Sequence, residues 1–466
     1  MRFVCLKQLF VRRTFLLIAA FTILGAPWCS SLRADAPLPE SNANSLKVGA
    51  AWKEIVADDS MVIGGGIGPG KVQGQEGRLQ ATATVLIGNT KLCLVAADIL
   101  MMNRDYLDQA TKRIEQECQI PFDNILINSS HTHHAPSTVT IHGYQRDEEF
   151  CRRTVDAIVE AAQAANQKAL NAESSQLLFR LGQEATVGQN SRQLLKDGKI
   201  YWIGARDGFV RPTGPFDVDL PVIAFRQPSG KYSAVLFNHS THCIGTRSGK
   251  RSASFYGLAA QEISDELATP LTFLSGAAGS THNLSLDCNE MIIRMKLAVR
   301  EALDKAAATN DVHLAAKKVE FEYRIRKFDE ATEDQAVVDY CQTYAASHAN
   351  EIISVFRDSR KKLKDQQGQS RKTWLQVVQL GNIYLVAVPA EFFTTLGLEI
   401  KRRSPFQNTF VCGLSNDYVG YLPNREAFPL GGYQTWTGLH SFAEQGTGEA
   451  IVDECVKLLE SMKVVP

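Results

Sequence analysis

The chain has no surplus of charge of either sign: Lys+Arg number 50, Asp+Glu number 50, and the pI is near 7.1. A nucleic-acid-binding protein draws its affinity from a basic excess, and neither that nor a polybasic tail is present. None of the ten cysteines forms a C-x-x-C pair, so a structural zinc ribbon or a thioredoxin-type centre is unsupported. Past the N-terminus no stretch approaches 18 consecutive apolar residues, the minimum for a membrane span. There is no internal repeat, no low-complexity block and no Pro/Ser-rich linker after residue 45. Length alone permits two or three domains, but the lack of a boundary favours one large one.

What is present begins with a leader. Arg2, Lys7, Arg12 and Arg13 precede the apolar run Phe15–Leu24, and Ala34-Asp35-Ala36 supplies an A-x-A cleavage site. Residues 1–36 therefore read as a signal peptide. The mature protein is expected to be exported, whether periplasmic, in the cell envelope or secreted; an uncleaved anchor is the competing reading. Cys5 and Cys29 belong to the leader. Of the other eight, several read as small buried apolar residues, as in Leu92-Cys93-Leu-Val-Ala-Ala97.

Strand-like and helix-like runs alternate. Residues 82–87 and 92–97 read as strands joined at Gly88-Asn-Thr90, and further strands are expected at 124–128, 233–237, 271–274, 319–325, 374–380, 383–388 and 409–412. Helical spacing of apolar residues marks 150–168, 292–309 and 449–462, and a charged helical insertion is expected over 330–364. The class is α/β: a mixed β-sheet core flanked by helices.

The segment Asn128-Ser-Ser-His131-Thr-His133-His134-Ala-Pro136 puts three of ten histidines into four positions, with His142 close behind. It leaves the end of a strand, so His131 and His133 point the same way if the chain stays extended. Imidazole is a common metal ligand and the usual acid/base near neutral pH; the bland alternative is a His-rich polar loop. Other suggestive residues also follow strands: His239, the small-residue loop 276–283 with His282, Glu391, and Tyr418 with Tyr421. Sites in α/β proteins gather beyond the carboxyl ends of strands. Gly65-Gly-Ile-Gly-Pro-Gly70-Lys71 fits G-x-x-x-x-G-K, but Val72 stands where Ser/Thr would hold magnesium and no helix start follows. It reads as a Gly-rich loop beside a cleft.

Several motifs resemble the neutral/alkaline non-lysosomal ceramidases, which are zinc amidases. Ser130-His131-Thr-His133-His134-Ala-Pro136 is similar to a T-H-T-H-S-G-P motif, Phe237-Asn-His239-Ser-Thr241 to a second histidine segment, Val388-Pro-Ala-Glu391-Phe to V-P-G-E-F, and Gly413-Leu-Ser-Asn-Asp-Tyr418-Val-Gly-Tyr421 to G-L-S-N-D-Y-x-x-Y. The resemblance spans most of residues 46–462. It implies Zn²⁺ held by His131, His239, Glu391 and Tyr421, with His133, Tyr433 and Arg192 around the reacting amide. Tyr421 is chosen on the resemblance alone. His242 and His282 stand where the family usually has other residues; His242 is expected to support the site without binding the ion. His134, His142, Asn416 and Asp417 read as loop and turn formers. The implied activity is hydrolysis of an N-acyl amide, ceramide-like, in a single catalytic domain over residues 37–466 without the family's C-terminal immunoglobulin-like domain. The implied partner is a small-molecule or lipid substrate with an N-acyl group, with peripheral membrane contact and no nucleic acid. The alternatives are a zinc hydrolase of the same fold acting on another amide or ester, and a non-catalytic envelope-binding module.

Overall fold

The computed structural model describes residues 46–463; the expected signal peptide lies outside the described residues. Three sheets carry the fold, two of four strands and a middle one of five, whose fifth strand is the short edge pair Ala307–Ala308. In the first, β1 (Lys47–Glu54), β2 (Gln80–Ile87) and β3 (Lys91–Ala97) run antiparallel, and β4 (Ile125–Ser129) lies parallel to β3. A parallel neighbour needs a crossover, which α1 (Arg104–Cys118) supplies; α2 (Glu148–Leu170) follows β4. The second sheet repeats the plan. β5 (Gln176–Gln183), β6 (Asp219–Arg226) and β7 (Tyr232–His239) run antiparallel, α3 (Ser254–Leu267) crosses over to parallel β8 (Leu271–Ser275), and α4 (Cys288–Asp304) follows.

The third unit does so again. β9 (Leu314–Arg324) is followed by the helical pair α5 (Glu330–Tyr344) and α6 (Ala349–Leu363), then β10 (Ser370–Leu380) and β11 (Ile383–Ala387). α7 (Thr394–Arg403) crosses over to parallel β12 (Asn408–Cys412), and α8 (Thr447–Glu460) closes the unit. The sequence shows no repeat; the structure has three β-β-β-α-β-α units. Topology depends on which positions are apolar, not on their identity, and unequal connections after the first strand of each unit obscure any common spacing.

The three sheets share one core. Val48, Leu94 and Leu126 of the first meet Leu177, Phe225 and Leu236 of the second and Val378, Leu385 and Phe410 of the third. The outer faces are covered by each unit's own helices: Leu107 and Ile158 on the first sheet, Phe255 and Met295 on the second, Leu396 and Ile451 on the third. With both faces buried, strands such as β11 read as continuous apolar runs. Helix starts are set by caps. Asp147, Asp287 and Asp329 each accept a hydrogen bond from a first-turn N–H, of Phe150, Glu290 and Thr332.

Where an expected element is observed, the two differ mainly at their ends, α2 spanning 148–170 instead of 150–168; helices α1 and α3 and strands β5 and β6 lie where the sequence reading places no element. The charged insertion is helical but breaks at residues 345–348. All eight cysteines among the described residues are buried and free. No helix among them is long and apolar enough to cross a membrane.

Candidate metal centre

The loops that leave β4, β7, β11 and β12 converge on one buried point. His131 lies two residues past β4, with a φ of 64° that turns the chain sharply. His133 follows in the same loop, His242 comes from the loop after β7, and Glu391 from the one after β11. Candidate ligand atoms of His131, His133 and His242 all lie within 4.8 Å of one another.

Hydrogen bonds fix how these rings present themselves. His131 Nδ1 lies 2.9 Å from the Leu100 carbonyl, His133 Nδ1 3.1 Å from that of Gly65, and His242 Nδ1 2.9 Å from that of Thr281. A carbonyl only accepts, so each Nδ1 carries the hydrogen and each Nε2 turns a lone pair inward. The inward atoms are close: His131 Nε2 is 3.3 Å from His133 Nε2, and Glu391 Oε2 is 3.3 Å from His131 Nε2 and 3.2 Å from His242 Nε2. Despite these neighbours, Glu391 Oε2 receives no hydrogen bond. Four acceptors facing one another in a buried site repel unless a cation sits among them. Ligands about 2.0–2.1 Å from a tetrahedral zinc lie roughly 3.3 Å apart, which fits the printed separations.

The electrostatics carry the same conflict. Burial, reinforced by the neighbouring rings, holds His133 well below the usual imidazole value and lowers His242. Burial works to raise Glu391, but its contacts with His131 and His242 outweigh that and hold the carboxyl well below the usual range. An ionised carboxylate that needs positive neighbours, beside the His133 and His242 rings that burial keeps neutral, is reconciled by a metal ion at their centre.

Phenols surround the point. Tyr418 donates to Glu391 Oε1 at 3.2 Å, Tyr421 Oη lies 3.0 Å from His242 Nε2, and Tyr433 Oη lies 3.0 Å from His142 Nε2. Burial pushes all three well above the usual phenol value, so they stay protonated. His282 stacks on His242 with ring centroids 3.8 Å apart, and burial holds it well below the usual imidazole value. A cavity of about 340 Å³ opens beside this group, lined by His133, His142, His282, Tyr421 and Tyr433 on one side and by Gly65, Gly66 and Ile67 of the Gly-rich loop on another.

Of the residues the sequence singled out, His131, His133, Glu391, Tyr421 and Tyr433 come together. His239 does not. As the last residue of β7 it faces α3, where Nδ1 meets Tyr256 Oη and Nε2 meets the Glu184 carbonyl at 3.0 Å. The chain then turns, and His242, three residues on, takes the position expected of His239. Arg192 also departs from expectation. Its guanidinium is buried against the loop that carries Tyr433, donating to Gln434 Oε1 at 3.0 Å and to the Ala427 and Gly431 carbonyls at 3.1 and 2.7 Å. It does not line the cavity, and burial lowers it to about 10, still charged at neutral pH. His134 accepts from Gly245 N–H at 2.8 Å, in keeping with a loop role. His142, by contrast, lines the cavity. Sequence reasoning missed the places of His242, Tyr418 and His142; the H-x-x-H spacing of His239 and His242 was the one available signal for the first.

A three-sheet α/β protein with a buried histidine–carboxylate group at its strand ends is thus the class that fold and site define. No protein-family model matches the sequence, and no curated protein does. Among solved structures the chain is similar to the neutral ceramidase from Pseudomonas aeruginosa, with a TM-score of 0.67 and 15% identity over 91% of this chain and 76% of that one. It is similarly close to a ceramidase complexed with C2, with a TM-score of 0.67 and 14% identity over 91% of this chain and 77% of that one. The chain therefore has the fold of the neutral ceramidases.

Proposed function

We propose that the chain is an exported zinc-dependent amidohydrolase that cleaves an N-acyl amide, as the name ceramidase says of its structural neighbours. The observation that carries the reading is the inward convergence of three imidazole Nε2 atoms and the orphaned Glu391 Oε2. Imidazoles and a carboxylate suit zinc. The leader's basic–apolar–A-x-A order supports export.

In this reading His131, His133, His242 and Glu391 hold the ion. That exchanges two roles implied by the resemblance: His133 joins the ligands, and Tyr421 stands beside His242 as a proton donor. A bound zinc supplies a Lewis acid that activates water near neutral pH. The chain's own groups do the rest. Tyr421 and Tyr433, held protonated, face the cavity as hydrogen-bond donors to an amide carbonyl oxygen as negative charge grows on it. His142, neutral and lowered to about 3 by burial, keeps the Tyr433 hydroxyl oriented. His282 lines the cavity as the group placed to pass a proton to the departing amine. Arg192 acts at one remove, by holding the loop of Tyr433.

Metal analysis of the purified protein tests the ligand set. His131→Ala, His133→Ala and His242→Ala should lose most of their zinc, while His239→Gln and Tyr421→Phe should keep it. Chelation should abolish hydrolysis of an N-acyl amide and zinc should restore it. Zinc lost from His239→Gln but retained in His242→Ala would return the site to the arrangement implied by the resemblance. A second reading, an amide other than ceramide, is favoured by the small cavity.

A further inference from the structure

The cavity beside the metal group is small, and one of its walls is built of packed aromatic rings. Its 340 Å³ is near the lower end of the roughly 300–1,000 Å³ typical of small-molecule sites. A cavity of that size suits an amide with a short chain better than one with two long hydrocarbon chains.

One wall of the cavity comes from the connection between β5 and β6 and includes Trp202. Its indole stacks on Tyr433 at 4.6 Å with the rings 2° from parallel, and meets Phe356 and Trp436 edge-on at 6.2 and 5.6 Å. Its backbone N–H donates to Tyr340 Oη at 2.7 Å, and the neighbouring Ile203 N–H does so at 3.2 Å. Tyr340 belongs to α5 and Phe356 to α6, so the helical insertion of the third unit braces this wall. Among the described residues, none of the exposed large apolar side chains lines the cavity. Ser191, on the same connection, lines the cavity, and its buried hydroxyl has no hydrogen-bond partner.

We propose that the site takes a compact, water-soluble N-acyl amide, a short acyl group on a hydroxylated amine, with Trp202 limiting acyl length and Ser191 receiving a polar group of the substrate. The proposal rests on the amidase reading above. Water adds to the amide carbonyl, the C–N bond breaks, the acyl group leaves as a carboxylate and the amine departs with the proton.

The test uses zinc-loaded full-length protein and a series of N-acyl amides of one amino alcohol, from acetyl to palmitoyl, with released amine as readout. Wild-type kcat/KM should peak among the short acyl groups and fall at least tenfold by palmitoyl. Trp202→Ala should move the peak to longer chains. Leu284→Ala, which alters another part of the lining, should do the same and serves if the Trp202 variant fails to fold. Ser191→Ala should raise KM several-fold for the amino-alcohol amides and leave N-acyl methylamines unaffected. A rate that climbs through palmitoyl, or a length profile unchanged in both wall variants, overturns the proposal. If no amide is hydrolysed, the amidase reading fails while the size limit is still decided by calorimetry with product carboxylates. Hexanoate bound at least tenfold more tightly than laurate sustains it, and the reverse order overturns it.

Discussion

Asp98, the first residue past β3, has a buried carboxyl that accepts from Gln80 N–H at 3.2 Å. Burial pushes its pKa up to about 7 from the usual 3.8. The folded chain thus keeps a proton that the unfolded chain releases, and this residue withdraws stability progressively as pH rises from about 4 to 7. One pK unit is worth about 1.4 kcal/mol, so the loss above pH 7 is on the order of 4 kcal/mol. Asp98→Asn, which keeps an acceptor for Gln80, should therefore stabilise the fold at pH 8 by a few kcal/mol and hardly at all at pH 4.5. Equal gains in denaturant melts at both pH values would sink the argument. His440 works in the opposite direction: burial lowers it to about 4, so stability is lost as pH falls from about 6.5 to 4. At this scale the sequence was legible where functional residues crowd together, as at His131 and His133, or stand at a strand end, as at Glu391. It misled at His239 and His242. Both follow the same strand, and the choice depends on a turn held by long-range contacts: His242 N–H donates to the Thr281 carbonyl at 3.2 Å, which no local pattern encodes.

Among the elements, helices α1 and α3 and strands β5 and β6 were passed over, but the others could be read because most are buried on at least one regular face. The connections could not. The Gly-rich segment after β1 looked like a phosphate loop in pattern, yet it opens no helix; its Ile63 pairs with Gly70 across a bend and its carbonyl at Gly65 orients His133. Gly65 has a φ of 103°, and a Cβ there would lie 2.5 Å from His133 Nδ1. Gly65→Ala should push the imidazole away and weaken zinc about 10–100-fold, the usual cost of losing a partner that orients a ligand, with secondary structure intact. Competition against a chelator measures it, and unchanged affinity would show that His133 does not depend on this loop. The break between α5 and α6 was equally hidden, since helical spacing continues on both sides of residues 345–348.

For the whole molecule, the least legible feature is the threefold plan, and its seam is held by polar groups. The fourth strands of the three units end side by side, where Asn128 Nδ2 donates to the Gly413 carbonyl at 2.6 Å and Oδ1 accepts from Ser275 N–H at 2.9 Å. Asn128 is fully buried. Asn128→Ala would leave the Ser275 N–H without this acceptor, at about 1–3 kcal/mol for a buried group, while the Gly413 carbonyl keeps the Ser415 hydroxyl at 3.2 Å; the change should lower the melting temperature by several degrees, and a melt within a degree of wild type would mean that the seam does not depend on it. The same plan divides labour between two kinds of connection. Residues that meet at the metal point leave the third and fourth strands, whereas Gly65–Ile67 and Ser191–Ile203 come from the connections between first and second strands. Reactivity and selectivity are therefore inherited on separate stretches of chain. A lineage, or an engineer, can recut the chamber by exchanging one of those early connections while the cradle of histidines stays as it was.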